Sequence, residues 1–361
     1  MSYKVVQWAT GHVGLVALQG IIEHPDLELV GVRVYSESKE GVDAGELCGL
    51  PPTGVKATRD VDGLLALGAD CVCYTAIESD GIEPVLDDFV RILETGTNIV
   101  ASTLLPLVFP PSMPELMGDA TARLEAAGRK GGATVYVTGV NPGCLLDVIP
   151  PLLASGVLEL ESIAVAEHFP DISCYQEGTL AKEMFGLSMS PEEWDGMLEV
   201  RQMMMSQYFG SALKLLAHGL GGTASQIRSV IRRFETDEEL KLPGLLLPAG
   251  SVAAIHARLD CTVGSTSLTY HEYVSAFESV KRPGWPEPPG GSGGYRIEIV
   301  GRPNMQVEIG FEAEGLHPMA EAFVYTSNRL VNSIAAVCSA DAGVSPFLEI
   351  GRTVVGQARR P

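Results

Sequence analysis

The chain has 361 residues, 46% of them hydrophobic, and a formal net charge of −20. That length allows two domains with sizeable cores. A strong acidic surplus repels phosphodiester backbones and anionic headgroups, so neither nucleic acid nor a membrane surface is expected as a partner.

Lys4 to Trp8 reads as a buried strand, and apolar residues at helical spacing over 12–23 read as the helix that follows. Between them lies Ala9-Thr10-Gly11-His12-Val13-Gly14, a G-x-G-x-x-G pattern with alanine in its first place. Set between strand and helix, this pattern lets a pyrophosphate approach a helix N-terminus across bare backbone. An alanine in the first place is expected to need a negative φ. The other reading of the segment is a plain strand–helix turn.

Residues 27–34 form the next predicted strand, ending in Arg33-Val34-Tyr35-Ser36-Glu37-Ser38-Lys39. NAD-specific folds place an acid at this strand end to hold the ribose 2′-OH. Here Tyr35 or Ser36 falls there, with Ser36 and Lys39 suited to a 2′-phosphate, so NADP(H) is preferred. Glu37 is one residue away and keeps NAD(H) open. A short helical loop over 43–48, helices over 61–67, 84–94 and 115–128, and strands over 69–75, 97–102 and 133–138 continue a βα alternation, hence a parallel sheet. The strand end carrying Thr75 is expected to face the cofactor.

Beyond residue 150 the rhythm changes. Strands are predicted over 158–168, 225–234, 251–263, 267–277, 295–300 and 305–311, with a long Met-rich helix over 191–219. Consecutive strands favour a mixed or antiparallel sheet in a second domain. The Pro/Gly-rich segment 281–294 is expected to be an exposed hairpin connection, and 318–340 a long final helix.

Residues 242–255 are broken by proline and glycine, so no apolar run reaches membrane-spanning length. The start Met1-Ser2-Tyr3 leads directly into a strand without a basic and apolar leader. Seven scattered cysteines and seven histidines show no disulfide, zinc or HExxH spacing. A reduced, cytoplasmic protein without a metal is expected.

The chain resembles the dihydrodipicolinate reductase-like oxidoreductases, in the branch of 2,4-diaminopentanoate dehydrogenase and the native amine dehydrogenases. The resemblance is carried by Val6 to Gly14, by Asp43-Ala44-Gly45-Glu46-Leu47, by Thr138-Gly139-Val140-Asn141-Pro142-Gly143, and by Arg329-Leu330-Val331-Asn332-Ser333-Ile334. It implies an α/β Rossmann dinucleotide-binding domain of residues 1–149 and 318–361. It further implies an α+β domain of residues 150–317 with a mixed open sheet, for substrate binding and dimerisation. A homodimer through that sheet and reduction of a carbonyl or imine are likewise implied. Two departures stand out. Amine dehydrogenases of this kind use a glutamate on the loop after the strand matching 97–102, where this chain reads Thr103-Leu104-Leu105-Pro106. The lysine and second histidine of the dihydrodipicolinate reductase signature are missing around Glu167-His168-Phe169-Pro170-Asp171.

Hydride transfer belongs to the cofactor, and the protein must orient it and supply a proton donor. Candidate donors are His168, Asp171 and Tyr175 after the first strand of the second domain, with Glu78 as a relocated carboxylate. Each has a structural alternative: a packed histidine, a turn cap, a pocket-lining ring, a solvated loop acid. Cofactor contacts are expected from Ala9, Thr10, Gly11, His12, Val13, Gly14, Ser36, Lys39, Thr75 and Asn141. Leu104, Leu105, Phe109, Phe169 and Asn141 are expected to line an apolar substrate pocket. These residues predict an NADP(H)-preferring, NAD(P)H-dependent oxidoreductase acting on a carbonyl or imine of a hydrophobic small molecule. The alternatives are an ammonia-dependent amine dehydrogenase using Glu78, and an NADP-binding sensor without catalysis.

Overall fold

The structure, a computed structural model, describes residues 2–79, 81–110, 118–174, 178–312 and 317–345. The chain divides into two compact units: Met1–Cys144 with Phe323–Pro361, and Leu145–Ala322.

The first unit is built on seven parallel strands in the order β15-β6-β5-β4-β1-β2-β3. These are β1 (Tyr3–Trp8), β2 (Leu27–Arg33), β3 (Ala57–Thr58), β4 (Cys71–Tyr74), β5 (Asn98–Ala101), β6 (Thr134–Val137) and β15 (Gly343–Val344). Every residue of β4 and β6 is buried, as expected of strands covered on both faces. The covering helices are α1 (His12–Glu23), α2 (Ala44–Leu47), α3 (Val61–Leu65), α4 (Ile82–Glu94) and α5 (Ala120–Gly131). One face buries Trp8, Tyr74 and Val135 with Leu86, Phe89 and Leu124, while the other packs Val32, Val34 and Ala57 against Leu18 and Ala44. The strand order reverses between β1 and β4. In such sheets the crevice beyond the carboxyl ends at the reversal is where ligands bind. The Asp43 loop is tied locally: its carboxylate accepts from the backbone N–H groups of Gly45, Thr53 and Gly54 at 2.8–2.9 Å. Those bonds, Thr53 first, hold the Asp43 carboxyl below its usual range.

The second unit is a six-stranded mixed sheet, β14-β13-β7-β12-β11-β8, in which β7 and β12 run parallel and the other pairs antiparallel. The strands are β7 (Leu158–Phe169), β8 (Arg228–Glu235), β11 (Val252–Val263), β12 (Thr266–Ser275), β13 (Gly294–Arg302) and β14 (Met305–Gly310). A separate hairpin joins β9 (Leu240–Leu242) to β10 (Leu245–Leu247). The helices are α6 (Ile149–Ala154), α7 (Gly178–Phe185), α8 (Pro191–Gly196) and α9 (Leu198–Gly219). Strand alternation sends Tyr270 and Glu272 to the face under α9, where Phe209 packs on Tyr270 with ring centroids 4.7 Å apart. His271 and Tyr273 go to the other face.

Two expectations need correction. The long helix over 191–219 is broken at Met197, whose φ of −107° and ψ of 5° leave helical values. Ser190 and Glu193 form a capping box that starts α8 independently. The 281–294 segment is not a hairpin connection, because β7 lies between β12 and β13. The loop must cross that strand, and Trp285 anchors it against His168 of β7 and Tyr273 of β12 at 5.3 and 5.1 Å.

The final helix, α10 (Pro318–Val337), belongs to the first unit from Phe323 onward. There Ser327 Oγ donates to the Val13 carbonyl at 2.8 Å, and Val331 covers Gly20. No helix among the described residues is long and apolar enough to cross a membrane.

Candidate active site

The Ala9–Gly14 turn is shaped by two side chains. Gln7 Nε2 donates to the Ala9 carbonyl and to Thr75 Oγ1, both at 2.9 Å, and Thr75 Oγ1 donates to the Trp8 carbonyl at 3.0 Å. Ala9 adopts φ 75°, contrary to the negative φ expected of an alanine there. The left-handed conformation costs an L-residue roughly 1–2 kcal/mol, and the Gln7 bond together with Ala9 N–H to Arg33 O at 3.0 Å hold it in place. A Cβ on Gly14 would lie 2.4 Å from Ala9 O and 2.7 Å from Thr75 Oγ1, so this glycine lets α1 approach β1 closely.

Gly11 is different. A Cβ there would meet nothing within 4 Å, and its φ of −75° suits any residue. The space over the N-terminus of α1 is therefore open, the first turn holds no acidic side chain, and no side chain caps it. The N–H groups of a first turn and the helix dipole suit such an end to a pyrophosphate. His12, at the start of the helix, stacks on Phe323 at 5.4 Å.

At the end of β2, Lys39 Nζ donates to the Thr10 carbonyl at 2.9 Å and reaches Thr10 Oγ1 at 3.2 Å. This sets an ammonium directly on the phosphate loop. Ser36 Oγ and Ser38 Oγ are 2.7 Å apart beside it, both exposed. Tyr35 accepts from Trp8 Nε1 at 3.2 Å and lies under the Arg33 guanidinium at 4.5 Å. Together these groups fit the phosphates of a dinucleotide.

Glu78 follows β4, and its Oε1 accepts from the Leu104 backbone N–H at 2.6 Å. The stretch 102–109 directly after β5, which has no acid of its own, thus receives one from the neighbouring strand end. Leu104 itself is left-handed, φ 55° and ψ 50°, and leads into a tight helical turn, Leu105–Val108. Its side chain is fully buried in the core with Leu107 and Val108, whereas Leu105 and Phe109 stay partly exposed. Of the proposed pocket residues in this unit, the structure therefore leaves Leu105, Phe109 and the half-buried Asn141 with accessible surface.

Asn141 sits in a turn braced by α10. Thr326 Oγ1 accepts from Val140 N–H at 3.2 Å, and Arg329 donates to the Gly143 carbonyl at 3.2 Å and to Thr138 Oγ1 at 3.4 Å. Gly143 has φ 115°, and a Cβ on it would lie 2.4 Å from Gly139 N. Gln7, Thr326 and Arg329 were not among the candidates. Each acts on the backbone of a distant turn, a role that leaves no local signature.

In the second unit the candidates separate. His168 is 2% exposed and points to the face away from α9, against Tyr273 and Trp285. Burial and then the Arg282 charge push its pKa down to about 4, so it is neutral at pH 7. Phe169 is buried on the α9 face, 6.1 Å from Tyr295. Asp171 Oδ1 accepts from Ser173 N–H at 2.7 Å, an Asx turn, and meets His317 Nε2 at 3.1 Å. Tyr175 lies outside the described residues.

A parallel sheet whose order reverses beside a glycine-bearing strand–helix turn, joined to a mixed-sheet unit, defines an NAD(P)-dependent oxidoreductase of Rossmann type. No family model matches the chain. It is 30% identical over 361 residues to an amine dehydrogenase of Streptomyces virginiae, covering 99% of both chains. A 4-hydroxy-tetrahydrodipicolinate reductase of a Synechococcus species is 26% identical over 212 residues, 53% of this chain and 69% of the reductase. Among solved structures, the amine dehydrogenase of Mycobacterium smegmatis superposes with a TM-score of 0.75, covering 99% of this chain and 98% of its own. At 19% identity that likeness shows the shared fold. The chain belongs to the amine dehydrogenase family.

Proposed function

We propose that this enzyme interconverts a carbonyl compound and an amine with ammonia and NADP(H), using Glu78 as the carboxylate of the reaction. One observation carries the reading: the Glu78 carboxylate is held at 2.6 Å on the backbone of the loop after β5. When bound, the nicotinamide dinucleotide supplies or accepts the hydride. Thr10 to Gly14 and the start of α1 hold its pyrophosphate. Lys39, with Ser36 and Ser38, favours a 2′-phosphate, which supports NADP(H) over NAD(H). Asn141, on its braced turn, orients the nicotinamide carboxamide or the substrate. Glu78 takes and returns protons on the substrate oxygen and on the nitrogen that replaces it. Leu105 and Phe109 offer apolar surface to a hydrophobic substrate.

That apolar loop also favours a second reading, direct reduction of a carbonyl or imine without free ammonia. We assign the sheet face away from α9 to a homodimer. It carries a cleft of about 370 Å³ between His271, Tyr273, Trp285, Arg296 and Glu298, which a second copy would fill.

Initial rates of NADPH oxidation with a panel of aliphatic and aromatic ketones and aldehydes, with and without ammonium chloride, test the proposal. Ammonium-dependent turnover that falls a hundredfold or more in Glu78→Gln is expected. Turnover that is indifferent to ammonium, or untouched by the substitution, would replace it with the second reading.

A further inference from the structure

On the α9 face of the six-stranded sheet two glutamates stand side by side. Glu167 of β7 and Glu272 of β12 are register partners in the parallel pair of strands, so both side chains leave the same face at neighbouring positions. Glu272 is 4% exposed, and among the described residues its Oε2 has no hydrogen-bond partner. Glu167 Oε2 accepts from Tyr270 Oη at 3.1 Å. The surroundings are aromatic. Tyr270 packs on Phe209, Tyr295 is the register partner of Glu167 on β13, and Phe169 follows at 6.1 Å from Tyr295.

Three arginines described in this unit are committed to other partners. Arg201 donates to the carbonyls of Glu183 and Met184, Arg282 to that of Pro170, and Arg296 to Glu308. Burial, and then the adjacent Glu167, drive the Glu272 carboxyl well above its usual range. A buried acid with an unpaired oxygen, set beside a second acid that is partly buried, is costly, and hydrocarbon of the same volume would be more stable. A cation that carries N–H donors removes both costs, since it satisfies the oxygens and neutralises the charge. Aromatic walls suit such a cation as well.

We propose that the Glu167–Glu272 pair is a binding site for a protonated nitrogen, either an ammonium ion or the ammonium group of an organic amine. This rests on the reading above, that the enzyme handles amines, and adds which groups of the chain recognise them. Glu272 and Glu167 are specificity residues in it, separate from the proton-transferring Glu78.

The test is calorimetric titration of the whole protein, with and without NADPH, using ammonium chloride, butylammonium chloride and 1,4-diaminobutane dihydrochloride. Sodium chloride at matched ionic strength is the control. Wild type is expected to bind at least one of the three, and Glu272→Gln to weaken that binding tenfold or more. Thermal melting of this near-isosteric variant should stay at or above that of wild type. Glu167→Gln gives a second reading should Glu272→Gln fail to fold. Loss of affinity for all three probes assigns the site to the nitrogen that all share. Loss for the diamine alone assigns it to a second amino group on the substrate. Absence of specific binding by wild type, or equal binding by both variants, overturns the proposal. These binding results are independent of turnover: an enzyme that binds amines at the pair yet shows no ammonium-dependent NADPH oxidation would refute the proposed reaction alone.

Discussion

Gly11 and Gly14 share one loop and are predicted to fail in opposite ways when substituted. A Cβ at Gly14 meets Ala9 O at 2.4 Å and Thr75 Oγ1 at 2.7 Å, and the first of these is backbone that cannot rotate away. Overpacking of this sort costs about 1–3 kcal/mol, and a unit of this size loses about 2–4 °C of melting temperature per kcal/mol. Gly14→Ala should therefore melt roughly 2–12 °C below wild type. At Gly11 nothing lies within 4 Å of the added carbon, and φ −75° with ψ −166° is extended backbone. Gly11→Val should then change unliganded stability by no more than about 0.5 kcal/mol. Its side chain would, however, occupy the space over the helix end. NADPH at 100 times its Kd adds about 2.7 kcal/mol to a protein it binds only when folded, a rise of roughly 5–11 °C. Wild type should show that rise in a thermal-shift titration, and Gly11→Val should lose it. A Gly11→Val protein that keeps the full NADPH shift would refute the assignment of the loop to a dinucleotide. A large loss of stability in the unliganded variant would refute the structural argument instead.

Further perturbations follow from the same geometry. Ala9→Gly relieves a left-handed alanine, a strain of roughly 1–2 kcal/mol, against about 0.5–1 kcal/mol of extra chain entropy. Its urea midpoint should rise, and a fall would show that the Ala9 methyl is needed in the core. Lys39→Ala should weaken NADPH at least tenfold while changing NADH little, as read by fluorescence titration; equal losses would assign Lys39 to the pyrophosphate. His168 and His256 both have pKa values lowered to about 4, chiefly by burial. As pH falls below about 6.5 the unfolded chain takes up their protons before the folded one does. Stability is therefore full above pH 6.5 and is lost between 6.5 and 4, by up to about 3 kcal/mol for the buried His168. Urea midpoints at pH 7.5 and 5.0 should differ less in His168→Gln than in wild type, and an unchanged difference would contradict this.

Much of the fold is legible locally. Helix α1 runs from His12 to Glu23, as its apolar spacing predicts, because a single amphipathic face against β1 decides both its type and its length. The six strands of the second unit's mixed sheet are equally plain, since most of them alternate between a covered and a more open face. What stays hidden depends on distance along the chain. Strand β15 has two residues and exists only by pairing with β6. The β9–β10 hairpin turns at Pro243-Gly244, and its three-residue strands are too short to show a period of their own. The crossing of 281–294 over β7 follows from strand order, which no local pattern encodes.

The same holds for the site. The phosphate loop and the Asn141 turn are visible as motifs, but what holds them is not. The Gln7 amide that stabilises Ala9 in its left-handed conformation sits on a strand of otherwise ordinary composition. Glu78 reads as a solvated loop acid until β4 and β5 lie side by side and bring it to Leu104 N–H. His168 looks catalytic beside Glu167, yet alternation sends the two to opposite faces of the sheet. Glu167, on the α9 face, meets Glu272 only through the pairing of β7 with β12.

The central claim, a dinucleotide-dependent exchange of amine and carbonyl, is tested most directly by stoichiometry in the oxidative direction. Purified enzyme would be given NADP+ and a hydrophobic primary amine, and NADPH, free ammonia and carbonyl product measured in the same sample. Equimolar formation of all three, abolished in Glu78→Gln, is the predicted result. NADPH formed without ammonia, or no oxidation of any amine by an enzyme that reduces carbonyls without ammonium, would contradict it.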